Sequence, residues 1–188
     1  MSDMSQLYAM SFSFKQAPLS VREKVALDEE SARKITFKIK EILHLEEVMI
    51  LSTCNRTEIY YTAEKPHCDE LITFLKLENS LNSDFELKSF IHNLEGNQAV
   101  THLFRVSMGL EAKVTGDLQI INQVKRAYQI SCDEDAAGPV IHRLMHSVFY
   151  AGKRVIQETA FRDGAASVSY AASELVDDIA EMIINPRI

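Results

Sequence analysis

Residues 48–63, VMILSTCNRTEIYYTA, consist of two β-rich runs joined by a short polar segment. The first run, VMILS at 48–52, is continuously apolar and has the length of a central strand. The second run, TEIYYTA at 57–63, is rich in the β-branched and aromatic residues that favour strands. We therefore predict a hairpin of two strands, with the lone cysteine Cys54 at the turn.

The segment before this hairpin predicts one strand and one helical region. LYAMSFSF at 7–14 alternates so that one face carries only large apolar residues, as in a half-buried strand. SVRE at 20–23 has the spacing of a helix capping box, and Asp28 precedes apolar residues at helical spacing.

The segment after the hairpin predicts a helix opened by Pro66 and a fourth strand over FELKSFIHNL, residues 85–94. The order strand, helix, strand, strand, helix, strand is a split βαβ pattern. It favours an α+β fold built on a ferredoxin-like antiparallel sheet with two helices on one face.

From about residue 96 the pattern is helical throughout. The predicted helices are marked by Val100, Leu103 and Phe104; by Leu118, Ile121, Val124 and Tyr128; by the run that follows Gly138 and Pro139; and by the stripe from Val168 to Ile183. We therefore expect an all-helical segment after the sheet.

Composition limits the class of protein. The three cysteines show no CxxC spacing, which argues against a disulfide framework and a zinc knuckle. A net charge of −7 argues against tight nonspecific binding to nucleic acid, because that binding depends largely on Lys and Arg. No apolar stretch reaches the roughly 20 residues that span a bilayer, and the N-terminus lacks a signal-peptide pattern, so we expect a cytoplasmic protein without a membrane partner. From the residues alone, Cys54 is either a buried strand-end residue or a nucleophile.

Four stretches in the same order resemble the glutamyl-tRNA reductase family: KQAPLSVREKV, LSTCNRTEIY, HLFRVSMGLEAKVTGDLQIINQVKRAY and GKRVIQETAFRDGAASVSYAA. The resemblance implies an enzyme that reduces glutamyl-tRNA to glutamate 1-semialdehyde through a cysteine thioester, in the first step of tetrapyrrole synthesis. It also implies three domains, of which the first is catalytic, the second binds NADPH and the third forms a homodimer.

The resemblance implies a division of this chain into a ferredoxin-like catalytic subdomain at 1–95, a helical part of the catalytic domain at 96–160, and a helix at 161–188 leading to an NADPH-binding domain. The sequence has no GxGxxG, so we expect NADPH to bind to a domain outside this chain, and we expect no metal.

The resemblance also implies the site residues. Cys54 takes the position of the nucleophile and Arg56 that of the anchor for the glutamate side-chain carboxylate. His102 takes the position of a histidine that polarises the carbonyl or transfers a proton. Substrate-contacting positions fall on Thr53, Asn55, Ala112, Asp117, Leu118, Gln119 and Gln123, of which Thr53 and Asn55 have the alternative role of stabilising the turn.

The sequence departs from the family pattern at four positions. The family commonly has Ser at Ala112, Glu at Asp117, Gly at Asn122 and His at Phe14. Ala112 cannot donate a side-chain hydrogen bond, and Asp117 has a shorter side chain than Glu. These changes affect the substrate contacts and leave the nucleophile in place.

The partners that the resemblance implies are glutamyl-tRNA, a second copy of the full-length protein, and the aminomutase that acts next. Basic candidates for holding tRNA are Lys125, Arg126, Arg143, Lys153 and Arg154. The alternative hypothesis is a non-catalytic RNA-binding or interaction module on a ferredoxin-like scaffold. Against it stand the negative net charge and the alternation of Tyr60 and Tyr61 across their strand.

Overall fold

The computed structural model describes residues 6–82, 85–113 and 119–159. Its strands are β1 (Gln6–Ser13), β2 (Val48–Thr53), β3 (Arg56–Ala63) and β4 (His92–Glu95). Its helices are α1 (Leu19–Val25), α2 (Glu29–Leu43), α3 (Cys68–Glu78), α4 (Asn97–Ser107), α5 (Gln119–Asp133) and α6 (Pro139–Glu158), and a 3₁₀ turn spans Lys88–Phe90. The predicted helix around Val168–Ile183 lies outside the described residues.

The four strands form one antiparallel sheet in the order β2-β3-β1-β4. This order and the helices between the strands confirm the predicted ferredoxin-like α+β fold. The fourth strand is shorter than predicted and begins only at His92. The Lys88 amide donates to the Glu86 side chain at 2.7 Å, and this local bond accompanies a 3₁₀ turn in place of a strand ladder.

The first helical region is two helices, and only one of its predicted caps forms. Asp28 caps α2, because its side chain accepts from the Ser31 amide at 2.8 Å. The predicted capping box is wrong, since Ser20 and Glu23 lie inside α1 and its N-cap, Pro18, has no side-chain capping bond.

The two central strands of the sheet, β1 and β3, are buried on both faces. Tyr8, Met10 and Phe12 point into a first core with α1, α2 and α3, as their alternation predicts. Leu7 and Ala9 point into a second core, which α4, α5 and α6 close. The prediction that β1 is only half-buried is therefore wrong, because the helices after residue 96 cover the face that was expected to be exposed. The two helices expected on one face, α2 and α3, pack together on the first core as predicted. The boundary expected near residue 95 falls between β4 and α4, and this division stays a prediction.

The start of α6 is fixed to the end of the sheet where β2 begins. The Glu47 carboxylate is buried and accepts from the amides of Val140 at 3.1 Å and Ile141 at 2.6 Å. Gly138 makes room for it, because a Cβ there would lie 2.7 Å from the Glu47 side chain. At the other end of α6, Gly152 lies against Met108 and Ile121. Helix α6 therefore runs back along α5 from the start of β2. No helix among the described residues is both long and apolar enough to cross a bilayer.

Candidate active site

The β2–β3 turn presents the Cys54 side chain to solvent while its backbone is held from several sides. Thr53 and Arg56 pair across the hairpin, and the Thr53 hydroxyl accepts from the amides of Asn55 and Arg56, both at 3.2 Å. The Asn55 carbonyl accepts from the Phe14 amide at 3.0 Å. Thr53 thus has the turn-stabilising contact that was one of its two expected roles.

Arg22 of α1 holds the same turn through hydrogen bonds to backbone carbonyls. It is buried, and its Nη1 donates to the Cys54 carbonyl at 2.5 Å while its Nε donates to the Ala17 carbonyl at 3.1 Å. The Cys54 thiol is exposed. A fixed backbone with an accessible sulfur is the arrangement that a nucleophile requires.

A small cavity of about 60 Å³ lies beside Cys54. Its lining consists of Thr53, Cys54, Asn55, Arg56, Ala112, Gln119, Ile120 and Gln123. The structure thus brings together all the predicted site residues within the described ranges except His102. Asp117 and Leu118 lie outside the described residues.

Arg56 is a buried residue, with 3% of its surface exposed. Its Nη1 donates to Glu58 Oε1 at 3.1 Å, and its Nη2 donates to the backbone carbonyl of Glu111. Both terminal nitrogens therefore have protein partners, and a bound carboxylate would share this guanidinium with Glu58.

Glu58 is the centre of a buried polar network that the sequence analysis missed. Besides Arg56, its Oε1 accepts from the Ser11 hydroxyl at 2.8 Å and from His102 Nε2 at 2.9 Å. Its Oε2 accepts from the Tyr60 hydroxyl at 2.6 Å, and no part of Glu58 is exposed. Glu58 lies two residues from Tyr60 in β3 and therefore shares its face, but the burial of that face depends on the later helices and gives no local signal in the sequence.

The network keeps Glu58 ionised. Burial alone would raise the pKa of this carboxyl, but the hydrogen bond from His102 and the positive charge of Arg56 outweigh it and lower the pKa to about 2. Burial and the Glu58 charge together raise the pKa of Tyr60 well above its usual value. Since an ionised carboxylate only accepts, the hydrogen of the His102 contact lies on Nε2. The other ring nitrogen, Nδ1, is then the one available for proton exchange.

His102 lines a second, larger cleft of about 620 Å³ rather than the Cys54 cavity. Lys15, His92, Asn97, Gln98, Thr101, Arg105 and Glu111 also line this cleft. Consecutive residues border the two spaces, because Glu111 lines the cleft and the next residue, Ala112, lines the cavity. The buried Arg56–Glu58 pair connects Cys54's cavity with His102.

Glu111 lines the cleft as an ionised group. Its carboxylate binds Lys15 and, at 2.6 Å, Arg105. Burial would raise its pKa, but these two cations lower it below the usual value.

Two alternative roles receive no support from the geometry. Tyr60 and Tyr61 are both buried, so this sheet cannot stack RNA bases on them as sheet-based RNA readers do. Among the described residues, no group of three or more His, Cys, Asp or Glu side chains is placed to hold a metal ion.

Cys68 packs on the first core, where burial raises the pKa of its thiol.

Comparison with known proteins identifies the family. Residues 10–159 match the profile of the N-terminal domain of glutamyl-tRNAGlu reductase. The chain is 46% identical over 187 residues to glutamyl-tRNA reductase of Cytophaga hutchinsonii, covering 98% of this chain and 44% of the relative. It is 38% identical over 176 residues to the enzyme of Aquifex aeolicus, covering 94% of this chain and 43% of the relative. The solved structure of glutamyl-tRNA reductase from Methanopyrus kandleri matches with a TM-score of 0.72 and 28% identity, over 95% of this chain and 40% of that one. The chain spans less than half the length of these relatives, and it belongs to the glutamyl-tRNA reductase family, whose N-terminal domain it matches.

Proposed function

We propose that this chain supplies the cysteine nucleophile and the glutamate-binding groups for the NADPH-dependent reduction of glutamyl-tRNA to glutamate 1-semialdehyde. The observation that carries the proposal is the single cavity that joins exposed Cys54 to Arg56, Gln119 and Gln123. The product of this reaction, glutamate 1-semialdehyde, enters tetrapyrrole synthesis.

Cys54 performs the acyl transfer. Its thiolate attacks the ester carbonyl of the glutamyl group, a carbon–sulfur bond forms, and the bond from that carbon to the tRNA ribose oxygen breaks. The departing ribose oxygen takes a proton, so that tRNA leaves as a free hydroxyl. The product is a thioester on Cys54, and the covalent step divides one difficult reaction into two.

We assign proton exchange with the reacting oxygen to His102. Glu58 fixes the hydrogen on Nε2, which leaves Nδ1 to exchange protons, as an orienting carboxylate does for a catalytic histidine. Glu58 is a positioning residue in this scheme, because it holds both Arg56 and His102 and is itself fully buried.

Arg56 anchors the side-chain carboxylate of the glutamyl group. The cavity beside Cys54 is small, with a volume of about 60 Å³. We therefore place part of the glutamyl group in the larger cleft beside His102, whose volume is about 620 Å³.

The reductant does not fit this chain. NADPH supplies hydride in the reaction, but the sequence has no glycine-rich dinucleotide motif, and we assign no step of the reduction to these residues. By family resemblance we further propose that the longer protein is a cytoplasmic homodimer that delivers its product to the aminomutase acting next.

The test is acylation of the 188-residue chain by glutamyl-tRNA, followed by intact-protein mass spectrometry. We expect one glutamyl adduct and its loss in Cys54→Ser, while the matched control Cys132→Ser, at a half-buried cysteine, keeps it. An adduct of equal yield in Cys54→Ser would place the nucleophile elsewhere. With NADPH added, we expect slow hydrolysis and no semialdehyde, and semialdehyde formed at a normal rate would contradict the assignment of the reductant to another domain.

A further inference from the structure

We infer that a basic surface of α5 and α6 holds the ribose-phosphate backbone of the tRNA whose glutamyl end reaches Cys54. This surface, called the α6 surface below, consists of Lys125, Arg143, Tyr150, Lys153 and Arg154. The inference rests on the proposed function, because it concerns the same substrate, and it adds a location for the RNA.

The charge of α6 differs from that of the whole chain. The chain carries a formal net charge of −7, but α6 contains three Arg and Lys residues and one acidic residue, Glu158, at its last position. Arg143, Lys153 and Arg154 are all exposed. Cations on one exposed face of an acidic protein form a local patch for a polyanion, which the net charge alone does not reveal.

Lys125 of α5 extends the patch across to the neighbouring helix. It is exposed, it lines the same groove as Lys153, and its Nζ lies 5.7 Å from the centre of the Phe149 ring. Among the described residues, Lys125, Arg143 and Lys153 form no ion pair with an acidic side chain, whereas Arg154 pairs with Glu158. Three of the four cations are therefore available to phosphates.

Arg126, the remaining candidate from the sequence, is excluded from this surface. Its Nε and Nη2 donate to the two carboxylate oxygens of Glu29, at 3.0 and 2.6 Å. A guanidinium bound by both nitrogens to a carboxylate has its charge compensated within the protein.

The part of the α6 surface formed by Lys125 and Lys153 lies toward the same end of the molecule as Cys54. Gln119 and Gln123, in the first turns of α5, line the Cys54 cavity, and Gly152 of α6 packs against Ile121 in that same part of α5. Lys125 and Lys153 therefore lie across α5 from the cavity, at a distance of about one helix diameter, roughly 10 Å. A single-stranded 3′ end that enters the cavity can cross α5 and continue over these lysines.

The length of the surface suits several phosphates. Arg143 precedes Lys153 by ten residues on one helix, which corresponds to about 15 Å along its axis. A span of this length exceeds the distance between neighbouring phosphates on a single strand, so more than one phosphate can lie along the surface. Between the cations, Tyr150 is 65% exposed, and the Arg154 guanidinium lies 6.0 Å from its ring centre. An exposed aromatic ring beside an arginine is a platform for stacking an unpaired base.

The test measures binding of uncharged tRNA to the 188-residue chain as a function of salt. For Lys125→Ala with Lys153→Ala we expect weaker binding and a slope of log K against log salt that is smaller by about 1.5, since each phosphate contact contributes about 0.7 to 0.9. The matched control is Lys24→Ala with Lys65→Ala, which changes the charge equally at exposed lysines outside the α6 surface. An equal loss in both double variants, or an unchanged slope in the first, overturns the proposal.

A second measurement separates this proposal from the proposed function. A small glutamyl thioester without RNA acylates Cys54 independently of any RNA surface, and we expect both double variants to react at the wild-type rate, which also shows that they are folded. If the small thioester acylates Cys54 but the α6 variant binds tRNA like the control, only the surface is wrong. If tRNA binding depends on the α6 surface but the thioester leaves Cys54 unmodified, the surface stands and the nucleophile is wrong.

Discussion

Replacing Glu58 by glutamine removes the negative charge at the centre of the buried network and keeps the size of the side chain. Arg56 is 3% exposed and would then lack its only carboxylate partner among the described residues. In the wild type the Tyr60 hydroxyl donates to Glu58. The amide nitrogen of the new glutamine is itself a donor, so it would face the Tyr60 donor without an acceptor between them. Removing one partner of a buried ion pair costs about 3–5 kcal/mol of folding free energy.

The pKa of Glu58 gives a second estimate of the same quantity. The carboxyl has a pKa of about 2 in the folded protein against 4.5 ordinarily. A difference of about 2.5 units corresponds to about 3 kcal/mol at 1.36 kcal/mol per unit. Because the folded pKa is lowered, this stabilisation is present in full above about pH 4.5 and is lost as the pH falls towards 2.

Urea unfolding of the wild type and Glu58→Gln at several pH values tests both estimates. We expect the variant to be less stable by about 3 kcal/mol at pH 7, and we expect the difference to shrink steadily between pH 4.5 and pH 2. Glu64→Gln, at an exposed glutamate, is the matched control and should change stability little. A difference between wild type and Glu58→Gln that stays constant from pH 7 to pH 2 would refute the argument that the ionised carboxylate stabilises the fold.

Two further predictions concern the ends of the sheet. Gly138→Ala should lower the free energy of unfolding by about 1–3 kcal/mol in urea denaturation, because the added Cβ lies 2.7 Å from the Glu47 side chain that caps α6. The control is Gly152→Ala, where the nearest atom to an added Cβ is 3.5 Å away and no destabilisation is expected. Equal losses in both variants would disprove the steric explanation. Arg22→Ala removes the buried donor to the Cys54 carbonyl, so we expect both lower stability and a slower acylation of Cys54 by a small glutamyl thioester; an unchanged acylation rate would show that α1 does not position the turn.

The sequence predicts the features that depend on neighbours along the chain. The hairpin follows from two β-rich runs around a polar turn, and the Asp28 cap follows from its position before a helical repeat. The prediction that one face of β1 is exposed is wrong. The burial of that face depends on α4, α5 and α6, which follow more than 80 residues later in the chain. The network around Glu58 was missed for the same reason, since Ser11 and His102 lie 47 and 44 residues away.

The separation of Cys54 from His102 likewise depends on tertiary packing. Family resemblance places both residues in one site, and no spacing in the sequence distinguishes a shared cavity from two separate ones. In the structure, Arg56 lines the cavity of Cys54, and His102 lines the larger cleft. Their connection through Glu58 therefore predicts that a change at Glu58 affects both sides of the site.

On the second face of the sheet, β1 and β3 carry apolar core residues towards one end and the polar candidate catalytic network towards the other. On β3, Tyr60 packs in the second core, while Glu58 and Arg56 follow on the same face towards the turn that carries Cys54. On β1, Ala9 packs in that core, and Ser11 continues the face beside Glu58. The apolar part of this face binds the helices, and the polar part orients the candidate catalytic groups. Because Glu58 lies between the two parts, its ionised carboxylate both stabilises the buried arginine and fixes the proton of His102, so a neutral residue at this position should impair folding and acylation together.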